Sequence, residues 1–381
     1  MALHSVDGSG AGRLRVGVIG CGYWGPQLIR NISDLRGATL NAVADPRAER
    51  LAYVRSQYPG VARYSDHRAL LESNVEAVVI ATPIHTHYEI ARDAILAGKH
   101  VMVEKPLTDS VSDALDLVRL AEEHNRTLMV GHTFLYNPAV EALRRIVRED
   151  VGRVFYVDAA RLNLGLFQTK TSVLWDLGPH DISIINYVLG QEPVSVSARG
   201  SSCVRPGVCD VAYIEIEYKS GVMARVHLSW LDPAKVRRIT VVGNRQMVVY
   251  NDVSLGEKIR IYDKGVDTPV TDDFGEFQLS YRYGQVSIPY IEWREPLAVQ
   301  CEHFVDSIKT GTQPRTGGLE AIAAVAVLEA AHYSLQHEGR PQPVNIPSRF
   351  DPALQASDIL RFDNDRQDRQ NSVLMDAPAA S

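Results

Sequence analysis

Two kinds of hydrophobic pattern alternate along the first 145 residues. Short apolar runs at 14–19, 39–44, 76–81, 100–103 and 127–130 have the length and β-branched content of buried strands. Between them, at 47–57, 88–97 and 111–124, apolar positions recur every three to four residues, the period of an amphipathic helix. Strands alternating with helices predict a parallel sheet crossed by helices. A further amphipathic stretch, 138–148, leads out of this region.

From Gly152 onward the pattern changes. Apolar and polar residues alternate at 154–162, 211–218, 222–230 and 238–242, which predicts a mostly antiparallel open sheet with one face on a core. A helix is expected over 179–189, and two more over 297–309 and 318–336, the last rich in alanine and valine. The expected organisation is a loose tail (1–12), an α/β domain (13–136), an α+β domain (137–347) whose last helices return to the first, and a polar tail (348–381). Two domains also suit 381 residues.

The first strand runs into Gly20-Cys21-Gly22-Tyr23-Trp24-Gly25 and then a helix. A GxGxxG alone is common; one that joins the first strand to a helix is the dinucleotide-binding turn of a Rossmann domain. Gly20 permits the tight turn, Gly22 lets main chain approach a pyrophosphate, and Gly25 lets helix and strand pack closely. Asp45, closing the second strand 25 residues after Gly20, stands where an acid accepts hydrogen bonds from the adenosine ribose. That acid favours NAD over NADP, although Arg47, two residues on, is suited to a 2′-phosphate.

Composition narrows the class. The net charge of −6 argues against nucleic acid or an anionic membrane as the main partner. The first residues lack the charged start and apolar core of a secretory signal, so a cytoplasmic location is expected. Cys21, Cys203, Cys209 and Cys301 show no CxxC spacing, and no metal site is expected.

Two further segments carry reactive side chains. The fifth apolar run's predecessor, 100–103, ends in Glu104-Lys105-Pro106, at the carboxyl edge where open α/β sheets bind ligands. In Trp175-Asp176-Leu177-Gly178-Pro179-His180-Asp181, the four-residue spacing allows Asp176 and His180 to share a helix face. Taken singly, Lys105 also reads as a surface lysine, and Asp176 as a helix cap near a satisfied histidine.

Together GVIGCGYWG, ATPIHTHYEIA, EKP and the D-x-x-x-H resemble the Gfo/Idh/MocA oxidoreductases over about 14–347, and most closely their nucleotide-sugar dehydrogenases. The resemblance implies that Gly20, Gly22, Tyr23, Trp24 and Gly25 hold the pyrophosphate, and Asp45 with Arg47 the ribose. It places Thr82, Pro83, His85 and His87 along the middle of the cofactor, and Glu104 and Lys105 beside the nicotinamide, with a cis Lys105–Pro106 bond. Asp176 and His180 would face the substrate, with Lys105 shared between cofactor and substrate. Tyr136, Asn137, Arg161 and Asn163 are further candidate substrate contacts.

The chemistry is coherent. Oxidising a secondary alcohol requires a proton acceptor, and a histidine titrating near neutrality suits that role. The Lys105 ammonium can stabilise a developing alkoxide, and the two can exchange roles. Asp176 can orient either His180 or a substrate hydroxyl. The expected activity is NAD-dependent oxidation of a ring hydroxyl of a nucleotide-activated sugar. A free sugar, inositol or sugar phosphate is the alternative, and a non-catalytic NAD-binding regulator a more distant one. Lys235, Arg237 and Arg238 with Arg161 and Lys170 are candidates for a diphosphate, and Tyr281, Tyr283, Tyr290 and Trp293 for a base. An open sheet face predicts a homodimer or homotetramer.

Overall fold

The computed structural model describes residues 12–165, 167–168, 171–267 and 280–346. Both expected tails and Lys170 lie outside the described residues, apart from Gly12. Residues up to Val344 form one compact unit; of the following unit, Asn345–Ser381, only Asn345 and Ile346 are described.

The first sheet contains β1 (Leu14–Ile19), β2 (Ala38–Ala44), β3 (Ala62–Tyr64), β4 (Ala77–Ile80), β5 (His100–Glu104) and β6 (Leu128–Gly131). Its order is β3-β2-β1-β4-β5-β6 and every pairing is parallel. Helices α1 (Gly25–Asp34), α2 (Ala48–Gln57), α3 (His67–Leu71), α4 (His87–Leu96) and α5 (Val111–Glu123) make the crossovers. Val16, Val18, Val78 and Val79 are fully buried because helices cover both faces, which is why the strands read as unbroken apolar runs. β3 and α3 were not expected: three and five residues are too short for a period to register.

Helix α6 (Pro138–Glu149) leads to β7 (Val154–Leu162), α7 (Val173–Leu189), β8 (Pro193–Ser201), β9 (Val211–Tyr218), β10 (Met223–Ser229), β11 (Val236–Gly243), β12 (Met247–Asn251), β13 (Ile259–Asp267) and β14 (Ser280–Ser287). Then come α8 (Pro296–Thr310), α9 (Gly318–Gln336) and β15 (Gln342–Pro343). The second sheet runs β14-β13-β12-β11-β7-β10-β9-β8-β15, and β7 with β10 is its parallel pair. Ala212, Ile214, Ile216 and Tyr218 alternate inward against exposed Tyr213, Glu215 and Glu217, the period-two signature of a half-covered sheet. β14 is exposed on nearly every residue, so its sequence carries no such alternation.

One boundary needs correction. α7 starts at Val173, so Pro179 sits inside the helix rather than in its first turn. The proline has no N–H for the Trp175 carbonyl and loosens the helix there. The last helices do return to the first domain. α8 packs on α1, and its Leu297, Cys301, Phe304 and Val305 join Val16, Leu28 and Ile29 in one core. α9 packs on α5, α7 and β8, and Val130 N–H donates to the Thr316 carbonyl at 2.8 Å just before it. Among the described residues α9 alone is long and apolar enough to cross a membrane, but its apolar residues Ile322, Val325, Val327 and Leu328 are core residues here.

Candidate functional site

The glycine turn is built for close approach. Gly20 has φ +96°, and a Cβ there would lie 2.5 Å from the Ala81 carbonyl oxygen at the end of β4. A Cβ on Gly25 would strike the Gly20 carbonyl, whereas one on Gly22 would meet only an Arg47 nitrogen, at 3.9 Å. The space over Gly22 is therefore open toward a ligand, and α1 opens beside it. Tyr23 and Trp24 are exposed at its rim, edge to face.

Asp45 is almost wholly buried. Its Oδ2 accepts from Cys21 N–H at 2.7 Å, so the acid also shapes the turn. Arg47 binds it in a two-pronged fork, Nε to Oδ1 and Nη2 to Oδ2, each 2.9 Å, and Arg47 N–H adds a third bond. These donors hold the carboxyl below its usual range despite burial, which opposes them. The half-exposed guanidinium is thus presented beside the glycine turn together with the acid.

Beyond β4, Thr82, Pro83 and exposed His85 form the loop over the sheet edge, with Thr86 Oγ1 donating to Thr82 Oγ1 at 2.8 Å. His87 is not available to a cofactor. Its ring is buried, with Nδ1 2.9 Å from the Pro106 carbonyl and Nε2 2.9 Å from the Thr82 carbonyl. The expectation for this residue is corrected: its polar atoms are spent inside the fold.

The reactive side chains converge at the carboxyl ends of β5 and β6. The Lys105–Pro106 peptide is cis, as the resemblance implies. Lys105 Nζ donates to the Asp176 main-chain carbonyl at 2.7 Å and lies 3.6 Å from its Oδ1. Trp230 Nε1 donates to Asp176 Oδ2 at 3.1 Å, so the carboxylate faces lysine and indole. The sequence left Asp176 to orient His180 or a substrate hydroxyl; the contact its carboxylate makes in the fold is a third one, with Lys105. Burial first, then Lys105, Arg161, Arg237 and His132, push the His180 pKa well below its ordinary value, which favours the neutral ring. The ring retains part of its surface and meets Phe134 edge to face, centroids 5.0 Å apart.

Two buried ionisable groups lie beneath. Burial raises the Glu104 carboxyl to about 7, with Lys105 opposing. Gly131 packs tightly beside it, since a Cβ there would lie 3.0 Å from Glu104 Oε1. His132, not among the expected site residues, follows on the neighbouring strand. Burial, aided by Lys105, lowers its pKa to about 4, and neither ring nitrogen has a hydrogen-bond partner among the described residues. Its signal was Gly131-His132 at a strand end paired with Glu104.

The expected substrate contacts divide. Arg161 is buried and paired with Asp181, Nη2 to Oδ1 at 3.1 Å, with its guanidinium carbon 4.6 Å from the Phe134 ring centre. It borders the site as part of the wall, with Nη1 unpaired. Asn163 follows β7, its N–H bound to the Ser229 carbonyl. Tyr136 and Asn137 take framework roles instead. Tyr136 is buried with its hydroxyl 3.0 Å from Thr316 Oγ1, and Asn137 caps α6 through Ala139 N–H at 2.9 Å. The basic cluster also divides, because strand residues alternate faces. Arg237 lies opposite Arg161 and reaches Phe134, whereas Arg238, one position on, is exposed on the other face; Lys235 is exposed just before the strand. Tyr281 and Tyr283 stack on the edge strand β14.

Residues 14–132 match the oxidoreductase family with an NAD-binding Rossmann fold, and residues 140–249 match the GFO/IDH/MocA C-terminal domain. The chain belongs to the GFO/IDH/MocA oxidoreductase family. It is 32% identical to UDP-N-acetylglucosamine 3-dehydrogenase of Acidithiobacillus ferrooxidans over 67% of this chain and 79% of that protein. It is 26% identical to myo-inositol 2-dehydrogenase of Thermotoga maritima over 85% of this chain and 97% of that one. A crystal structure of an oxidoreductase from Magnetospirillum magnetotacticum superposes with a TM-score of 0.71 at 30% identity, covering 83% of this chain and 99% of that one. This protein is therefore an oxidoreductase carrying the family's NAD-binding Rossmann domain.

Proposed function

We propose that this oxidoreductase removes hydride from a ring CH–OH of a sugar, most specifically a nucleotide-activated sugar, and delivers it to NAD. The carrying observation is the convergence of Lys105, Asp176 and His180 at the carboxyl edge of the parallel sheet. The open cradle over Gly22, which a Cβ would begin to fill, fits a pyrophosphate held by the glycine turn and α1.

The nicotinamide supplies the hydride acceptor when bound. The chain's own work is the proton. His180, neutral because burial and four cationic or titratable neighbours disfavour its charged form, receives the hydroxyl proton. Lys105, aimed by the Asp176 carbonyl and carboxylate, donates a hydrogen bond to the oxygen as negative charge builds on it. Trp230 keeps the Asp176 carboxylate turned toward Lys105.

NAD rather than NADP is our reading of the adenosine end. A 2′-phosphate near Arg47 would also lie near the Asp45 carboxylate that grips it. The nucleotide reading draws support from a line of groups leaving the site. Arg237 pairs with Asp252 at 3.1 Å, Lys258 lies 4.0 Å from Asp252, and the Lys258 ammonium stands 5.2 Å from the ring centre of half-exposed Trp293. Cations followed by an indole suit a diphosphate followed by a base.

NADH formation across a panel of UDP-, GDP- and dTDP-sugars, free sugars and inositols tests this. Turnover of free inositol or glucose with no nucleotide sugar accepted overturns the nucleotide reading. No turnover of any sugar overturns the proposal. We also propose that two chains join through the open face bearing Tyr156, Tyr213 and Met223. Light scattering coupled to size exclusion would return a monomer if that is wrong.

A further inference from the structure

His87 stands between two carbonyl oxygens. Nδ1 is 2.9 Å from the Pro106 oxygen and Nε2 is 2.9 Å from the Thr82 oxygen. A carbonyl only accepts, so each contact needs a hydrogen on the imidazole nitrogen. A neutral ring carries one. The other nitrogen would then face an oxygen lone pair with no hydrogen between them.

The two carbonyls belong to the loops that frame the site. Thr82 follows Ala81, and both press on Gly20: the Ala81 oxygen and Thr82 Cγ2 lie 2.5 and 2.9 Å from where a Gly20 Cβ would be. Pro106 follows Lys105, whose ammonium is bonded to the Asp176 carbonyl. One buried ring thus connects the glycine turn to the reactive lysine.

We propose that His87 is a positioning residue held as a doubly protonated imidazolium, tying the β4 loop to the Lys105–Pro106 turn so that lysine and cofactor cradle keep one geometry. Burial works against the charge and lowers the ring's pKa. The Pro106, Thr82 and Leu107 main-chain groups and the Asp109 carboxylate, the charged side chain acting on the ring, work for it. Two acceptors at hydrogen-bond distance decide between these tendencies, because neutralising the ring would leave one buried carbonyl facing a bare lone pair.

The protonation state can be read without substrate. In enzyme labelled with ¹⁵N-histidine, long-range ¹H–¹⁵N spectra should show a ring with both nitrogens protonated at about pH 8, well above the ordinary histidine value of about 6.5. That signal should vanish in His87→Gln. If no histidine ring in the wild-type enzyme keeps two protons there, the proposal is wrong, whether or not the variant folds. The kinetic arm rests on the reading of Lys105 given above. His87→Gln should lose about 10²-fold in kcat, the scale of a misplaced reacting group, with an unchanged circular dichroism spectrum. A folded variant with wild-type kcat removes the positioning role even if the ring is charged.

Discussion

The Lys105 ammonium is anchored by the main-chain carbonyl of Asp176, 2.7 Å away, and faces the carboxylate of the same residue at 3.6 Å. The carbonyl lies in the turn of α7 loosened by Pro179, where the preceding carbonyl, of Trp175, has lost its helical donor. A strand-end lysine from one domain is thus aimed by a helix of the other. Lys105→Met should therefore lower kcat by about 10²-fold or more, the scale of removing one charge-stabilising donor. NADH affinity, measured by fluorescence titration, should stay within a few-fold. Full turnover by this variant would remove Lys105 from the chemistry.

If His180 takes the hydroxyl proton as proposed, its depressed pKa should set the acid limb of kcat/KM. The neutral acceptor form persists as pH falls below the ordinary histidine value of about 6.5. Lys105, Arg161 and Arg237 help to depress it, so Arg237→Ala should shift the acid limb to higher pH. An unmoved limb would mean that another group titrates there.

Glu104 makes stability depend on pH in the opposite sense from an ordinary carboxylate. Its folded pKa is raised to about 7, so its stabilising contribution is complete below the unfolded value and is lost as pH rises through about 7. Glu104→Gln removes that loss, worth about 3 kcal/mol at alkaline pH. The variant's Tm should gain on the wild type between about pH 5 and pH 9. A constant Tm difference across that range would refute the assignment.

Tyr136 supports the fold rather than the substrate. Tyr136→Phe should cost about 1 kcal/mol through the buried hydrogen bond to Thr316. A lowered Tm with unchanged substrate KM is the expected result. A large rise in KM with unchanged Tm would restore it as a substrate contact.

At the adenosine end, wild-type kcat/KM should favour NAD. Asp45→Ala should narrow that preference by freeing Arg47 for a 2′-phosphate. A ten-fold wild-type preference for NADP, measured by steady-state kinetics, would reverse the reading of the fork.

Much of this protein is written locally in its chain. The strand–glycine–helix junction at Gly20–Gly25 and the switch from helix-crossed apolar runs to period-two alternation are short-range patterns. Residue spacing and backbone sterics determine them, so the Rossmann sheet, the open second sheet and the candidates Lys105, Asp176 and His180 are legible without coordinates. Tertiary structure decided what those groups touch. Lys105 and Asp176 are 71 residues apart, and no periodicity tells whether the carboxylate meets lysine or histidine. Tyr136 and Asn137 carry polar atoms suited to substrate, but Thr316 and the start of α6 claim them. Arg237 and Arg238 look equivalent in sequence, yet one strand position separates the site face from the open face. His87 is one more histidine in a loop-to-helix stretch until the Thr82 carbonyl and the carbonyl of Pro106, 19 residues on, close on its ring. Each outcome turns on which buried donors and acceptors pair across the fold, a condition that exists only once the chain is packed.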